Sequence, residues 1–303
     1  MAELGRQTHA QAPALPEVAP SMEALPRLEN QVILVITSPG AEEGGYLEKI
    51  AALAHLSGAR LRLADCSLRA SHFDLPLARL KQRARHLGRM LDRPVETVDV
   101  ELRTPADLRR QVEDCALVCI ARSARAWRPG PRGRDLLRAL IALSARPVLV
   151  VGDGQLRGYA STLVPVSLGP QSPELLRWAR AMAPYARLEV LHVTEIREQA
   201  RPKSWAALRH RLRVLAEALG EGMQGVTHTL VHGVVPDCIG QRHAGRCHDL
   251  VVVGMGARRR WLPLPWPILA QYLARWLNGD VLVIPQARAR TNTPPKGQWG
   301  FWT

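Results

Sequence analysis

A glycine-containing loop followed by arginines is the first stretch of the sequence whose residues suit ligand binding. Gly254 ends an apolar run at 250–253, and Gly256 lies two positions later. Glycine lets backbone amides come close to an anion, because it has no Cβ atom. Three arginines that can hold an anion by charge-assisted hydrogen bonds come next: Arg258, Arg259 and Arg260. The loop, together with Ser167 after another apolar run, is a candidate nucleotide or anion site; the alternative is a solvated basic loop.

A segment rich in tryptophan and proline follows the arginines. It spans 261–267 with the sequence WLPLPWP, and its three prolines predict a stiff, non-helical chain. Trp261 and Trp266 are candidate interface residues, because tryptophan is common where an apolar surface meets a polar one. Three alternatives stay open for this segment: internal packing, a protein or dimer contact, and contact with anionic lipid.

Histidines and cysteines form a second group of possible ligands. His243 and Cys247 are four positions apart on a predicted helix, with Cys238 and His248 nearby. Structural zinc sites usually have paired spacings such as CxxC, which this group lacks, so we predict structural or surface roles and no metal. The sequence has no nucleophile elbow, Walker motif or paired-carboxylate motif. We therefore assign no catalytic residues and predict that the protein is not an enzyme.

The chain carries a strong positive charge. It has 41 Lys and Arg against 27 Asp and Glu, a formal charge of +14 and a pI near 10.6. Such a charge favours nucleic acid or anionic membranes as partners. Only four of the basic residues are lysines, and the arginines are spread over most of the predicted helices. This distribution disfavours specific nucleic-acid binding, and peripheral contact with anionic lipid stays open.

The sequence also bears on location. No apolar run reaches the roughly 18 residues that span a bilayer. The N-terminal 30 residues have no basic region followed by an apolar core, as a secretory signal would. The five cysteines are widely spaced and do not form a disulfide framework. We expect a cytoplasmic protein with reduced cysteines.

The predicted elements that must position these residues alternate between strands and helices. Five strands with four intervening helices fill 32–151, and the same alternation restarts after a glycine-rich linker at 152–158. Short apolar runs joined by helices are typical of a buried parallel sheet. Landmarks in the two series match at an offset of roughly 130 residues: Ile36-Thr37 with Val166-Ser167, Trp127-Arg128-Pro129 with Trp261-Leu262-Pro263, and 147–151 with 280–284.

The stretch 249–285 resembles the C-terminal signature of the universal stress protein family. Nucleotide-binding members carry a Gly, a second Gly three residues on, and a Gly-Ser or Gly-Thr pair after nine more. In this sequence those positions are Gly254, Ala257, Pro267 and Ile268. The first alone matches, while Pro267 has no amide proton and Ile268 has no hydroxyl. The Asp that contacts the base after the first strand is replaced by Thr37 and Ser167.

The resemblance implies a fold and a role. The fold is α/β, with two tandem doubly wound domains at 31–152 and 159–286, each a five-stranded parallel sheet of order 3-2-1-4-5 with helices on both faces. The domains are expected to pack as a pseudo-dimer between flexible tails at 1–30 and 287–303. The implied role is binding, without catalysis, in a bacterial stress response, with an unknown protein or a second copy as partner. We expect no cofactor; in particular, domain 1 lacks the ATP motif, and domain 2 keeps one of its glycines.

The sequence leaves two alternative functions. One is a nucleotide- or anion-sensing module that uses the loop Gly254–Arg260. The other is a lipid- or protein-interaction module that uses the segment Trp261–Pro267 together with the basic surface.

Overall fold

The computed structural model describes residues 26–37, 45–65, 75–98, 105–122, 140, 144–152, 158–194, 205–217, 225–255 and 266–285. Its elements fall into two series, which we call the first half and the second half. The first half comprises β1 (Val32–Thr37), α1 (Tyr46–Ser57), β2 (Arg60–Asp65), α2 (Leu75–Leu91), β3 (Glu96–Val98), α3 (Pro105–Glu113), β4 (Leu117–Ala121) and β5 (Val148–Val151). The second half comprises β6 (Ser161–Pro165), α4 (Ser172–Met182), β7 (Arg187–Thr194), α5 (Trp205–Glu217), β8 (Val226–His232), α6 (Val235–Arg246), β9 (Leu250–Gly254), α7 (Trp266–Trp276) and β10 (Asp280–Ile284).

The ten strands form one sheet in the order β3-β2-β1-β4-β5-β10-β9-β6-β7-β8. Within each half, neighbouring strands are parallel, and the order 3-2-1-4-5 recurs in the second half as 8-7-6-9-10. The halves meet at β5 and β10, which pair antiparallel with Val281 opposite Val150 and Val283 opposite Val148. The sequence predicted a five-stranded sheet for each half, and the structure joins the two into one continuous sheet.

The central strands are buried on both faces because helices cover the sheet on both sides, whereas the edge strands β3 and β8 are partly exposed. In β1, Ile33 and Val35 pack into one apolar cluster with α1 and α2, whereas Leu34 faces the other cluster with α3. The second half repeats this division, with α4 and α5 on the first face and α6 and α7 on the second. Continuous Val, Ile and Leu runs are therefore required, since successive side chains point to opposite faces.

A buried carboxylate joins the halves where β5 and β10 meet. Asp280, the first residue of β10, is fully buried. One of its oxygens accepts hydrogen bonds from Nζ of Lys49 at 2.8 Å and from the Gly152 amide at 2.8 Å. The other oxygen accepts from the Tyr159 hydroxyl at 2.7 Å. Lys49 belongs to α1, so this ion pair connects a helix of the first half to a strand of the second.

Three local details of the structure bear on the sequence analysis. Ser172 is the first helical residue of α4, Gln171 holds the cap position, and the Ser172 hydroxyl is buried without a hydrogen-bond partner among the described residues. Trp266 belongs to the segment predicted to be non-helical, but it is the first residue of α7, and Pro267 follows it in the first turn, where a proline loses no helical hydrogen bond. Leu28, assigned to the flexible tail, is buried against the first half.

Other predicted features lie outside the described residues. These are most of the N-terminal tail, the C-terminal tail and the helix at 135–144 apart from Leu140 and Ser144. Among the described helices, none combines the length and the apolar character needed to cross a membrane.

Candidate functional site

The predicted ligand site falls at the edge of the sheet where the strands of the second half end. Gly254 is the last residue of β9 and pairs with Ile284 at the end of β10. Ser167 lies in the loop between β6 and α4, and β6 pairs with β9. Ligands of doubly wound sheets usually sit beyond such carboxyl ends. The topology therefore brings Gly254 and Ser167 to the edge at which a ligand is expected.

The space over Gly254 is filled by the chain itself. A Cβ atom at this position would lie 2.7 Å from Oε1 of Gln171 and 3.2 Å from Cδ1 of Leu175. The Gln171 amide nitrogen donates hydrogen bonds to the carbonyl oxygens of Ile284 at 3.1 Å and Pro285 at 3.3 Å. Gln171 thus spans the ends of β9 and β10. Glycine suits this position because a glutamine side chain packs against it, at the edge of the sheet where a ligand is expected.

The loop that carries Ser167 is held by the body of the second half. The His192 ring makes a 2.8 Å hydrogen bond from Nδ1 to the Val166 carbonyl, so Nδ1 carries the proton. Nη2 of Arg211 donates to the carbonyl of Leu168 at 3.1 Å, and Leu168 has a left-handed backbone with φ of 56°. Ser167 itself is exposed, with its hydroxyl turned toward Gly169. These hydrogen bonds fix the conformation of the loop, and Ser167 is an exposed polar residue within it.

At the equivalent edge of the first half, polar side chains also make hydrogen bonds to backbone carbonyls of the protein. Thr37, at the end of β1, is buried, and its hydroxyl donates to the Ala64 carbonyl at 3.2 Å. Arg122, directly after β4, donates from Nη2 to the Gly279 carbonyl of the second half. The Thr37 hydroxyl is therefore already bonded within the sheet.

Most of the other predicted site residues lie outside the described part of the chain: Gly256, Arg258, Arg259, Arg260 and Trp261. Trp266 is described only as the first residue of α7. The anion site and the tryptophan interface therefore remain predictions.

The structure contains a cavity that the sequence did not predict. Its volume is about 730 Å³, and it lies at the opposite edge of the second half, where β9 and β10 begin. Its walls come from α6, α7, the turns before β9 and β10, and three more distant residues, Lys49, Gly158 and Tyr159. The histidine and cysteine spacing noted in the sequence marks one wall, because His243, Cys247 and His248 all line it.

Two buried histidines lie side by side in this wall. The rings of His243 and His248 are stacked, with centroids 6.2 Å apart. Burial lowers the pKa of both imidazoles, and the nearby His248 lowers that of His243 further. Both rings are therefore neutral near pH 7. The Nδ1 atom of each is buried and makes no hydrogen bond within the described residues.

A buried carboxylate orients His248. Nε2 of His248 lies 3.4 Å from Oε2 of Glu189, on β7. Glu189 also accepts hydrogen bonds from the Thr229 hydroxyl at 2.6 Å and from Nε of Arg242. Burial raises the pKa of Glu189, but these hydrogen bonds and the charges of Arg242 and Arg246 outweigh it, so the pKa lies below the ordinary value. No group of three or more His, Cys, Asp or Glu suited to a metal ion occurs in the part of the chain that the structure describes.

Comparison with known proteins gives structural relatives only. A universal stress protein from Archaeoglobus fulgidus DSM 4304 has a TM-score of 0.64 and 12% identity, covering 86% of this chain and 98% of its own. A universal stress protein from Pseudomonas aeruginosa UCBPP-PA14 has a TM-score of 0.62 and 21% identity, covering 84% and 93%. A protein of unknown function from Pseudomonas aeruginosa PAO1 has a TM-score of 0.60 and 20% identity, covering 84% and 92%.

These relatives match the chain over almost their full lengths. The protein therefore has the fold of universal stress proteins, and its mixed α/β architecture agrees with the resemblance seen in the sequence. No protein-family model matches the chain, and no curated protein matches it either.

Proposed function

We propose that this chain is a tandem universal stress protein that acts in a bacterial stress response by binding a partner, without catalysis. The observation that supports the proposal most is the sheet, in which two sets of five strands share one order and join through their last strands. Two domains at 31–152 and 159–286, a cytoplasmic location, and a second copy or another protein as partner are parts of the same proposal.

The family resemblance suggests ATP as a ligand, but the residues around Gly254 and Thr37 do not suit it. In the second half, Gln171 fills the space over Gly254 and bonds to the end of β10. In the first half, the Thr37 hydroxyl is bonded to Ala64. Loss of the glycines that admit phosphates and of the aspartate for the base supports a protein that works without nucleotide. We therefore propose that neither half binds ATP.

Nucleotide content tests this part of the proposal. The purified full-length chain is denatured, and the released small molecules are separated and quantified by absorbance at 260 nm. We expect far less than one nucleotide per chain, and no release of ADP when the folded protein is incubated with ATP and magnesium. A stoichiometric nucleotide in the extract, or steady ADP release, would contradict binding without nucleotide or without catalysis.

The stress role needs a test in the cell. A deletion strain of the source organism should survive stress less well than the parent, and the full-length gene should restore survival. A Gln171→Glu variant matches the size of the native side chain but cannot donate to the carbonyls of Ile284 and Pro285. We expect it to restore survival to the extent that it still folds. Equal survival of the deletion strain and the parent under every stress tried would refute the role.

An interaction module is the alternative that a specific observation favours. Helix α2 has no acidic residue, and its exposed side includes Arg79, Arg85 and Arg89 beside Met90, which is half exposed. Basic residues next to an exposed apolar side chain suit an anionic lipid surface. Sedimentation with vesicles of phosphatidylcholine, with or without phosphatidylglycerol, tests it: binding only to the anionic vesicles would support this alternative, and no binding to either would exclude it. The anion-sensing alternative rests on the loop at 256–260 and stays a prediction.

A further inference from the structure

We propose that the cavity at the amino-terminal edge of the second half binds a small, flat organic cation such as an amidinium or guanidinium compound. The cavity lies at the end of the sheet opposite Gly254, since Asp249 and Asp280 mark the beginnings of β9 and β10. The inference therefore goes beyond the proposed function and does not depend on the nucleotide question.

An aromatic wall is the first feature that selects the ligand. Tyr272 and Trp276 are one helical turn apart on α7, and their ring centroids lie 5.9 Å from each other. Both line the cavity, and they are 42% and 71% exposed. The faces of large aromatic side chains attract flat rings and cations. The wall favours a flat molecule and, by its electrostatics, a positive one.

The charged groups around the cavity favour a ligand with a positive charge. Asp237, in the first turn of α6, and Asp249 both line it. Lys49 is the only Lys or Arg among the described lining residues, and its ammonium group is already 2.8 Å from the buried Asp280 carboxylate. One oxygen of Asp249 already accepts hydrogen bonds from the amides of Ala160 and Ser161, so Asp237 and the second oxygen of Asp249 are the acidic groups left for a ligand. A phosphate or carboxylate ligand would meet repulsion, whereas a cation would not.

The inner wall supplies a hydrogen-bond acceptor. Neutral His248 directs its Nε2 hydrogen to Glu189, so its Nδ1 atom has a lone pair and no hydrogen. This nitrogen is buried and has no partner among the described residues. An amidinium group carries only N–H donors, so its hydrogen-bonding capacity complements such a wall. An unpaired buried acceptor is costly, so a small shift of the ring that exposed Nδ1 to an N–H donor in the cavity would reduce that cost.

The dimensions also suit a small ligand. A volume of about 730 Å³ lies within the usual range of small-molecule sites. Small residues on α6 keep the cavity open: Gly240 and Ala244 line it, and a Cβ atom on Gly240 would have no neighbour within 4 Å. A larger side chain at position 240 would therefore project into free space, without a clash with the fold.

Three probes of the same size and flatness test the charge of the ligand. Benzamidinium, benzamide and benzoate are positive, neutral and negative, and each is titrated into the full-length protein by calorimetry at pH 7.5. We expect benzamidinium to bind with a dissociation constant on the order of 1 mM or tighter, and benzoate at least about tenfold more weakly. No binding of benzamidinium at 10-fold that concentration, or equal binding of all three probes, would overturn the proposal.

Matched variants test the position of the site. Trp276→Ala and Asp237→Asn should each weaken benzamidinium binding by about threefold to tenfold, since each removes one favourable contact. Gly240→Leu should abolish binding by filling the cavity. Trp205→Ala and Asp92→Asn replace exposed residues that do not line it, and they should leave binding unchanged. Full affinity in the first three variants, each with a native circular dichroism spectrum, would place the probe elsewhere and refute the site.

Discussion

The ion pair between Asp280 and Lys49 should contribute to the stability of the protein by linking the second half to the first. The carboxylate is fully buried, and its charge is compensated by Lys49 at 2.8 Å, on the other half of the chain. Lys49→Met removes the ammonium group but keeps most of the side-chain volume. Because the carboxylate would then stay buried without its opposite charge, we expect the free energy of unfolding to fall by about 3–5 kcal/mol.

A double-mutant cycle separates this electrostatic effect from packing. In Asp280→Asn the amide oxygen can still accept one of the native hydrogen bonds, so the expected cost is about 1–3 kcal/mol. The double variant Lys49→Met with Asp280→Asn buries no unpaired charge, and it should be more stable than Lys49→Met alone. A Lys81→Met variant on the exposed side of α2 is the control and should stay within about 0.5 kcal/mol of the native protein.

Urea unfolding at pH 7, followed by circular dichroism, measures all four variants. The reasoning would be refuted if Lys49→Met changed stability no more than the Lys81→Met control. It would also be refuted if the two single effects added without coupling, because the halves would then be joined by strand pairing alone.

Three further predictions concern packing and pH. Gly254→Ala should lower the free energy of unfolding by about 1–2 kcal/mol, since the added methyl group meets the movable Gln171 side chain. Gly279→Ala should lower it by about 3 kcal/mol, since its methyl group meets the His248 carbonyl 2.6 Å away. The urea unfolding midpoints of the two variants should follow this order. The lowered pKa of Glu189 stabilises the fold above the ordinary Glu pKa, and this is lost as pH falls through the folded value, so Glu189→Gln should flatten that acid limb. The lowered pKa values of His243 and His248 should make stability fall as pH drops below 6.5, with His243→Gln reducing the slope.

The strands and helices were predictable because their signal is local. Apolar runs such as 148–151 and 281–284 leave few choices other than buried strands, and the structure has β5 and β10 there. The repeated alternation also indicated two similar series. The join between β5 and β10 was not predicted, since a pairing of two strands more than a hundred residues apart leaves no mark in either strand.

The site was harder to predict because it depends on side chains that meet across the fold. Gly254 was predicted as part of a ligand-binding loop, but the side chain that lies against it is Gln171, and only the folded sheet brings the two together. The cavity is lined by residues from both halves, among them Lys49 from the first and Trp276 from the second. The spacing of His243 and His248 was visible in the sequence, but their neutral, stacked arrangement was not.

Calorimetric titration of the full-length protein with ATP and magnesium tests the central claim most directly. We expect no heat of binding at millimolar ATP, because Gln171 fills the space over Gly254 and the Thr37 hydroxyl is engaged with Ala64. A dissociation constant for ATP tighter than about 10 μM, roughly 7 kcal/mol of binding free energy, would contradict the proposal that the protein works without nucleotide. The loop after Gly254 would then be the binding site to test by mutation.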